Sequence, residues 1–292
     1  MNHKKANPIL SFILSLYIPG LGQIYNCQSI KAIVYLILGL FVLLVAVFTA
    51  AFHHFLSMLI LVSFRILLSI ISAFDATVIS QLNHDRSLKK YNKLYFYILI
   101  IIIFSFSYFI ASTYIRAIVA YPFKAVSGSM EPLIYKNDYF MIDPSYYYNN
   151  SLKSGDLIVF LNPRNPNNEH ISRCIAIENE HVTIQDNEAY VNGKIYKGDF
   201  EISKISKIKA PRKPKIPPEI SNMIDSRHQA KYTPIEINDI KVPERACFVL
   251  GDNRIDSYDS RYFGPVPIEY IIGKPIYIYY SKDKARIGKL LK

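Results

Sequence analysis

Cysteine is scarce in this sequence, with three residues among 292. Three cysteines are too few for a scaffold held together by disulfide bonds. Cys174 and Cys247 lie in the later part of the chain, where an oxidising compartment would allow them to pair. Because free cysteines are usually buried, we expect both to be buried strand residues instead.

Motifs for bound cofactors are also lacking. No cluster of metal-ligating residues and no glycine-rich nucleotide loop is apparent in the sequence, so we expect no cofactor. The aromatic-plus-basic signature of an RNA-binding sheet does not occur either. We therefore expect no nucleic-acid partner, although the formal net charge is +11.

Acidic residues are few in the first part of the chain. Residues 1–120 carry nine Lys or Arg and two Asp or Glu, whereas residues 121–292 carry 25 and 21. Most of the positive excess therefore accompanies apolar segments, where positive charge sets the orientation of a membrane protein. This distribution favours membrane lipid over nucleic acid as the partner of the positive charge.

Long apolar runs are abundant, and a membrane-spanning helix needs about 20 such residues. Three stretches are long enough, namely 30–52, 55–79 and 94–119. A shorter apolar segment, 9–18, cannot span a bilayer, so we expect it to be interfacial or re-entrant. The sequence thus predicts an α-helical transmembrane region over residues 1–120 with about three spanning helices.

Charges between the apolar stretches predict the orientation. Basic residues precede the first stretch and separate the second from the third: Lys4, Lys5, Lys31, Arg86, Lys89, Lys90 and Lys93. Because positive residues favour the cytoplasm, the chain from about Tyr121 onward is expected outside it. Inside the second stretch we expect Asp75 near the cytoplasmic end and Arg65 against another helix.

Residues 121–292 predict a mostly-β extracytoplasmic domain. Short apolar or alternating runs separated by turns indicate strands near 139–142, 156–160, 171–177 and 182–185, and an Asn-Gly hairpin over 189–194. The insert around 203–219 is rich in Lys and Pro and is typical of an exposed loop.

Two polar segments of this domain are candidates for chemistry. The first is Ser127-Gly128-Ser129-Met130-Glu131-Pro132, in which glycine permits a tight backbone and proline stops a helix. A nucleophilic serine needs such a fixed turn, with backbone N–H groups nearby for the oxyanion. The second, residues 251–266, follows the apolar run 246–250, and polar loops held by buried strands often carry catalytic groups.

Together these two segments resemble conserved boxes of the signal peptidase I family, and the resemblance extends over roughly residues 121–280. It implies that Ser129 is the nucleophile, and that its backbone N–H and the Ser127 hydroxyl form the oxyanion hole. It further implies that Ser257 hydrogen-bonds a catalytic lysine and that Asp259 and Arg261 order the site.

The sequence departs from the family at the general base. The family's strand has the form Tyr-x-Lys-Arg, and this chain has His170-Ile171-Ser172-Arg173, so Ser172 occupies the lysine position. A serine hydroxyl is no base near neutral pH. Three hypotheses remain: His170, on the same strand face as Ser172, is a tentative base; a lysine such as Lys124 enters the site; or the chain is catalytically impaired.

The family resemblance implies a membrane-bound serine endopeptidase that removes signal peptides from exported preproteins. It would be a multi-pass protein of the bacterial inner membrane, with exported preproteins and membrane lipid as partners and its C-terminal domain extracytoplasmic. Two alternatives stay open. One is an impaired homologue that acts as a membrane-bound binding module, and the other is a narrow-specificity, pilin-type processing peptidase.

Overall fold

The computed structural model describes residues 6–82, 93–185, 188–196 and 237–291. The chain divides into two compact units, Met1–Val119 and Ala120–Lys292. Several expectations fall outside the described residues. They concern the insert 203–219 and the charges Lys4, Lys5, Arg86, Lys89 and Lys90.

The first unit is built from helices. Its first helix starts after Asn7, whose Oδ1 accepts from the backbone N–H groups of Ile9 and Leu10. An asparagine cap followed by Pro8 favours a helix start. The helices are α1 (Pro8–Tyr17), α2 (Leu21–Tyr25), α3 (Ser29–Phe48), α4 (Phe55–Leu82) and α5 (Leu94–Tyr114), with a 3-10 turn (Ala50–His53) before α4 and a π-helical turn (Ile115–Val119) after α5.

Among the described residues, three helical segments are long and apolar enough to cross a membrane: Ser29–Phe48, Phe55–Leu82 and Leu94–Val119. Their mean hydropathies are 2.8, 2.3 and 2.3. At 1.5 Å per residue, α4 is about 42 Å long, which exceeds a hydrocarbon core of about 30 Å. The predicted apolar helical region is therefore confirmed. The first of these three segments, α3, ends at Phe48 and not at residue 52 as expected, because the backbone becomes extended at Thr49.

Polar side chains hold α1 and α2 against α4. Gly20, which turns the chain between α1 and α2, donates its backbone N–H to Ser72 Oγ at 3.0 Å. Gln23 Nε2 donates to the Ser72 carbonyl at 2.8 Å, and Ser15 Oγ donates to Gln23 Oε1 at 2.9 Å. An unpaired polar group in an apolar environment costs free energy, so this network allows the chain to turn back there.

The two charges of α4 have different surroundings. Asp75 accepts from Lys31 Nζ of α3 at 2.8 Å. The Arg65 guanidinium donates to the Ser69 hydroxyl one turn further along α4. The hydrogen bond of Arg65 lies within its own helix because residues four apart share a helix face. Arg65 also lines one cavity together with Tyr108 of α5.

The second unit contains two antiparallel sheets. The larger has the strand order β1-β2-β11-β3-β4-β9-β10, and the smaller has the order β7-β6-β5-β8. The strands are β1 (Tyr121–Lys124), β2 (Tyr139–Asp143), β3 (Leu157–Leu161), β4 (Glu169–Ala176), β5 (His181–Gln185), β6 (Glu188–Val191), β7 (Lys194–Ile195), β8 (Ile237–Lys241), β9 (Ala246–Leu250), β10 (Val266–Pro267) and β11 (Ile271–Tyr280). The described part of this unit also has two short α-helices, α6 (Tyr146–Asn149) and α7 (Ser260–Phe263), and two 3-10 turns, Ile268–Tyr270 and Lys284–Arg286.

Burial follows the strand patterns. All five residues of β9 are buried, as its continuous apolar run predicts, whereas β5 alternates between buried and more exposed residues. Cys174 and Cys247 are free and fully buried in one apolar cluster with Phe160 and Phe263. The mostly-β class predicted for this unit is confirmed.

The larger sheet is curved, which brings distant strands together. The Tyr121 hydroxyl at the start of β1 donates to Glu169 Oε1 at 3.2 Å, although three strands separate β1 from β4 in the sheet order. β4 also pairs with β9, with Arg173 opposite Leu250. The end of β1, the middle of β4 and the loop after β9 therefore converge on one region.

Candidate active site

The segment after β1 places Ser129 in a tight turn. The Glu131 backbone N–H donates to the Gly128 carbonyl at 3.1 Å, and the Met130 side chain is buried in the core. Ser129 itself is only half-buried, and the Ser127 hydroxyl donates to Ser129 Oγ at 3.1 Å. The turn thus holds one serine hydroxyl accessible beside another.

Asn253 joins this turn to the loop that follows β9. Its backbone N–H donates to the Ser129 carbonyl at 3.0 Å, and its Nδ2 donates to the Gly128 carbonyl at 3.1 Å. These two bonds connect segments more than 120 positions apart in the sequence. The two polar segments singled out in the sequence therefore lie together. Sequence reasoning gave Asn253 no role, although it stands inside the second segment.

Gly251 lies between Ser129 and Ser257, two of the serines that the sequence places in the site. A β-carbon added at Gly251 would lie 2.1 Å from Ser257 Oγ and 2.6 Å from the Ser129 carbonyl oxygen. Both distances are far below van der Waals contact, and one partner is backbone that cannot move aside cheaply. The glycine is therefore required for the close approach of Ser257 to the Ser129 turn.

Asp259 and Arg261 form a buried ion pair beneath the loop. Arg261 Nε donates to Asp259 Oδ1 at 2.9 Å, and Arg261 Nη2 donates to Oδ2 at 3.0 Å. Asp259 Oδ2 also accepts from the Gly251 backbone N–H at 2.9 Å, and Arg261 Nη2 donates to the Arg254 carbonyl at 2.7 Å. This pair fixes both ends of the loop, which fits the ordering role that the sequence suggests.

A second ion pair connects β4 to the same loop. Arg173 Nε and Nη2 donate to the two carboxylate oxygens of Asp252 at 2.8 and 2.7 Å. Burial lowers the pKa of Arg173, but the hydrogen bonds that Arg173 donates to Asp252 and the negative charge of Asp252 together raise it, and the net pKa lies above its ordinary value. Such forked pairs are geometrically specific. Asp252 is a supporting residue that sequence reasoning did not single out, although it follows Gly251 directly.

Ser172 is buried in β4, opposite Ile158 of β3. Its hydroxyl donates to the carbonyl of its own neighbour Ile171 at 2.8 Å. The hydroxyl is therefore turned toward its own strand. It has no group that would take a proton from Ser129.

Ser257 presents a buried hydroxyl without a hydrogen-bond partner among the described residues. Its side chain is nine-tenths buried, with 7% of the residue exposed. An unpaired buried hydroxyl costs about 1–3 kcal/mol. The sequence resemblance predicts a lysine as the partner of this hydroxyl and predicts that Ser172 occupies the position of that lysine.

His170 lies half-buried two residues before Ser172. Asn162 Nδ2 donates to its Nε2 at 3.2 Å, and its ring centroid lies 6.0 Å from Phe160 and 6.3 Å from Tyr258. Burial lowers the pKa of His170 below its usual value of about 6.5. The imidazole is therefore neutral at neutral pH, as a base must be, but its Nε2 lone pair is already engaged.

Ser127, Ser129, His170 and Ser257 all line one groove of about 1040 Å³, whose wall includes β1. Ser172 does not belong to the described lining of this groove and lies beneath it. Lys124, the lysine considered as an alternative base, also lines the groove but is exposed, and its Nζ lies 5.4 Å from the Tyr139 ring centroid. No metal-binding group of three or more His, Cys, Asp or Glu occurs in the described parts of the chain.

The chemistry that these groups support is that of a serine nucleophile. An accessible hydroxyl, a neighbouring hydroxyl donor and an ordered loop can position an acyl group for attack and hold an oxyanion. A groove walled by an edge strand can accept an extended peptide through main-chain hydrogen bonds. The element that is not supplied directly beside Ser129 is a base.

Comparison with known proteins gives a consistent result. Residues 94–280 match the family described as signal peptidase, peptidase S26, and residues 4–124 match a family of unknown function. The signal peptidase I of Aquifex aeolicus (strain VF5) is 31% identical over 207 residues, which cover 59% of this chain and 80% of the relative. A probable signal peptidase I-2 of Synechocystis sp. is 30% identical over 165 residues, covering 55% and 63%.

A solved signal peptidase I from Enterococcus faecalis V583 is 28% identical and covers 42% of this chain and 95% of its own. Its TM-score is 0.26, so we base the assignment on the sequence relatives. The family match spans more than half of the 292 residues and contains every residue of the groove described above. The chain belongs to the signal peptidase family, peptidase S26.

Proposed function

We propose that this protein is a membrane-bound serine endopeptidase that removes signal peptides from exported preproteins. The observation that carries the proposal is the pair of Asn253 hydrogen bonds that joins the Ser129 turn to the loop 251–266. Relatives named signal peptidase I in several species support the same activity. The alternatives, a binding module and a pilin-type peptidase, are not favoured.

In this proposal Ser129 Oγ attacks the scissile carbonyl. The Ser129 backbone N–H and the Ser127 hydroxyl stabilise the oxyanion. Preorganised hydrogen-bond donors lower the free energy of the transition state in which this negative charge develops. Ser257, Asp259 and Arg261 order the loop around the nucleophile. The contact of Ser127 Oγ with Ser129 Oγ supports this assignment, because it places the donor beside the attacking atom.

His170 is the tentative base of the chain itself. Its position in the wall of the groove and its lowered pKa support the assignment. To take a proton, its Nε2 would have to exchange the hydrogen bond from Asn162 for a water or a hydroxyl. Ser172 is displaced by about 7 Å along the strand, so transfer would pass through an intervening group. We therefore expect slow, histidine-dependent cleavage from this route.

The proposed location is the bacterial inner membrane, with several spans and the second unit outside the cytoplasm. Three helices of spanning length and the basic residues Lys31 and Lys93 at the ends of α3 and α5 support it. Membrane lipid is then a partner of the first unit, and preproteins are partners of the groove. Single cysteines introduced into the second unit can be labelled in intact cells with a reagent that does not cross the membrane. Labelling would support the proposed orientation, and protection of these cysteines from the reagent would contradict it.

The decisive test is cleavage of a test preprotein by the detergent-purified chain and by its Ser129→Ala variant. We expect Ser129→Ala to abolish cleavage, since it removes the nucleophile. The matched control is Ser281→Ala, a buried serine in the same unit but outside the described groove lining. Cleavage that persists in Ser129→Ala would disprove the assigned nucleophile.

A further inference from the structure

Arg65 is a charged residue in the interior of α4, a helix long and apolar enough to span a membrane. At 1.5 Å per residue it lies about 15 Å from the Phe55 end and about 26 Å from the Leu82 end. Its guanidinium donates to Ser69 Oγ, one turn nearer the Leu82 end, so the side chain does not extend back toward the Phe55 end. Charged side chains at such depth are costly and usually face a partner or a cavity. A partner for this charge is therefore expected.

The described parts of the first unit supply no carboxylate to Arg65. Asp75 is the one acidic residue there, and it accepts from Lys31 Nζ at 2.8 Å. It also lies ten residues, about 15 Å, further along α4. The Ser69 hydroxyl that accepts from Arg65 is neutral and itself donates to the Arg65 carbonyl at 3.3 Å. The positive charge is therefore not neutralised by the described residues.

Arg65 lines a cavity of about 270 Å³ between α3, α4 and α5. The wall is mostly apolar and includes Val42, Ala46, Val62, Ile66 and Phe104. Gly39 also lines the cavity, and a β-carbon added at Gly39 would meet no atom within 4 Å. The cavity thus has room for an apolar chain beside a single cation.

The polar groups of the wall favour an anion. Ser107 Oγ and Ser112 Oγ already donate to carbonyl groups of α5, at 2.8 and 2.9 Å. The groups left to donate into the cavity are the guanidinium of Arg65 and the hydroxyl of Tyr108, which also lines it. A carboxylate accepts hydrogen bonds from both, and it pairs with a guanidinium through two parallel bonds. A carboxylic acid, unlike a permanently charged anion, can also cross hydrocarbon in its neutral form.

The size of the cavity limits the ligand. An engineered cavity of about 150 Å³ holds benzene, so a cavity of about 270 Å³ has room for roughly eleven heavy atoms. A carboxylic acid of about nine or ten carbons has this size. A helix about 10 Å wide occupies about 400 Å³ per turn, which is more than the whole cavity. The volume therefore favours a small apolar acid over a helix of a partner protein.

We propose that this cavity, called the acid site below, binds an unbranched carboxylic acid of about ten carbons. The carboxylate lies against Arg65 and Tyr108, and the chain lies along the apolar wall. The bound acid neutralises the charge inside α4 and stabilises the packing of α3, α4 and α5. The acid site rests on the proposed membrane location of the first unit and does not depend on the proposed peptidase activity.

The first experiment measures binding of decanoate labelled with ¹³C at its carboxyl group. The full chain in nanodiscs of phosphatidylcholine, a lipid without net charge, is titrated and observed by NMR. We expect a saturable bound signal that Arg65→Gln weakens at least about tenfold, because the charged hydrogen bonds are lost. Arg116→Gln, which removes an exposed arginine of the same unit outside the described cavity lining, is the matched control. No saturable binding, or equal binding to Arg65→Gln, would overturn the acid site.

The same spectra report the charge of the bound acid. Because a neighbouring cation favours the ionised form, bound decanoate should stay ionised at pH values at which decanoate in protein-free nanodiscs is already protonated. Bound decanoate that takes up its proton over the same pH range as the lipid-dissolved acid would contradict the contact with Arg65.

The second experiment fills the cavity and leaves the charge in place. Gly39→Phe adds a ring where a β-carbon meets open space, so we expect the protein to fold and decanoate binding to be lost. Gly39→Ala, which adds one carbon, should bind decanoate nearly as the wild type does. Unchanged binding in Gly39→Phe would place the acid elsewhere and overturn the proposal.

The third experiment separates the charge of the ligand from its chain by thermal unfolding. A ligand that binds only the folded state raises the melting temperature. Decanoate should raise it in the wild type and not in Arg65→Gln, and decanol and decyltrimethylammonium should raise it in neither. An equal rise with decanol would overturn the assigned role of Arg65. Arg65→Gln itself should fold, since it removes a costly charge from an apolar region.

The acid site and the peptidase function are tested separately. The Ser129→Ala protein, which lacks the proposed nucleophile, should bind decanoate as the wild type does. Binding in a protein that cleaves no preprotein would support the acid site and overturn the proposed peptidase function, whereas cleavage without binding would do the reverse.

Discussion

The two sides of the loop after β9 differ in how completely their buried polar groups are paired. On the supporting side, Asp259 and Arg261 share two hydrogen bonds, and Asp252 takes two more from Arg173. On the base side, Ser257 has no partner among the described residues, and Ser172 bonds only the carbonyl next to it in the chain.

This difference shows which losses the fold tolerates. A buried charge without its partner costs several kcal/mol, so the supporting side has to remain complete for the loop to keep its place. A buried hydroxyl without a partner costs about 1–3 kcal/mol, which a folded domain can bear. The supporting side can therefore keep the architecture of the groove while the hydroxyl of Ser257 stays without a partner among the described residues.

Restoring a partner to the base side should have the largest effect. We expect Ser172→Lys to raise the cleavage rate by about 10²- to 10⁴-fold, because a general base would then stand beside Ser129 and Ser257. Initial rates on a test preprotein measure this. Ser172→Met, which supplies a long side chain without an amine, is the control, and equal rates for the two variants would refute the comparison.

Breaking the supporting side should reduce stability strongly. We expect Asp259→Ala to lower the free energy of unfolding by about 3–5 kcal/mol, because Arg261 would remain buried without its partner. Denaturant unfolding of the purified protein measures the change. Asp239→Ala removes an exposed partner of His181 and should change stability by less than about 0.5 kcal/mol. Similar losses for both aspartates would contradict the special status of the buried pair.

Filling the junction between the two sides should have an intermediate effect. We expect Gly251→Ala to cost about 1–3 kcal/mol of stability and to slow cleavage, because the added carbon would push Ser257 and the Ser129 carbonyl apart. Thermal unfolding and cleavage rates measure the two consequences. Gly39→Ala, where a β-carbon meets no atom within 4 Å, is the control. Unchanged cleavage in Gly251→Ala would show that the two serines need not approach closely.

The smallest expected effect concerns the pH dependence of cleavage through His170. Burial lowers the pKa of His170, so its neutral form persists below the usual value of about 6.5. Cleavage through His170 should therefore fall as the pH drops through that lowered pKa, with a midpoint below about 6.5. His170→Gln should remove this basal cleavage, and the exposed His181→Gln should keep the wild-type profile. A midpoint above 6.5 would exclude His170 as the base.

Sequence patterns predicted much of the architecture because they report burial directly. Continuous apolar runs of spanning length gave the three long helices, and the fully apolar run 246–250 gave a strand buried on both faces. The shortness of the apolar segment 9–18 predicted only that it does not span a bilayer, and the turn at Gly20 follows α1 in the structure. The anchoring of this turn by Ser72 and Gln23 was not predicted, since hydrogen bonds between distant residues leave no local periodicity.

The same limit applies to the groove. The residues that resemble the family's motifs, from Ser127 and Ser129 to Ser257, Asp259 and Arg261, were identified from the sequence because their types and spacing are specific. The sequence also predicts that Ser172 occupies the family's lysine position. Asn253 and Asp252 were not assigned functions, because their contacts with Ser129 and Arg173 exist only when β1, β4 and β9 come together.

The sequence by itself determined which segments are apolar helices and which are strands, and it predicts that Ser172 occupies the family's lysine position. Each of these depends on the types of residues and on their order over a short stretch of sequence, both of which can be read from the sequence alone. Only the tertiary structure decided that the Ser172 hydroxyl donates to the Ile171 carbonyl of its own strand and that Asn162 Nδ2 donates to His170 Nε2. It also decided that Ser257 Oγ has no hydrogen-bond partner among the described residues. Whether two groups form a hydrogen bond depends on differences of a few tenths of an ångström in the distance between side chains that are far apart in the chain. No sequence pattern encodes those distances.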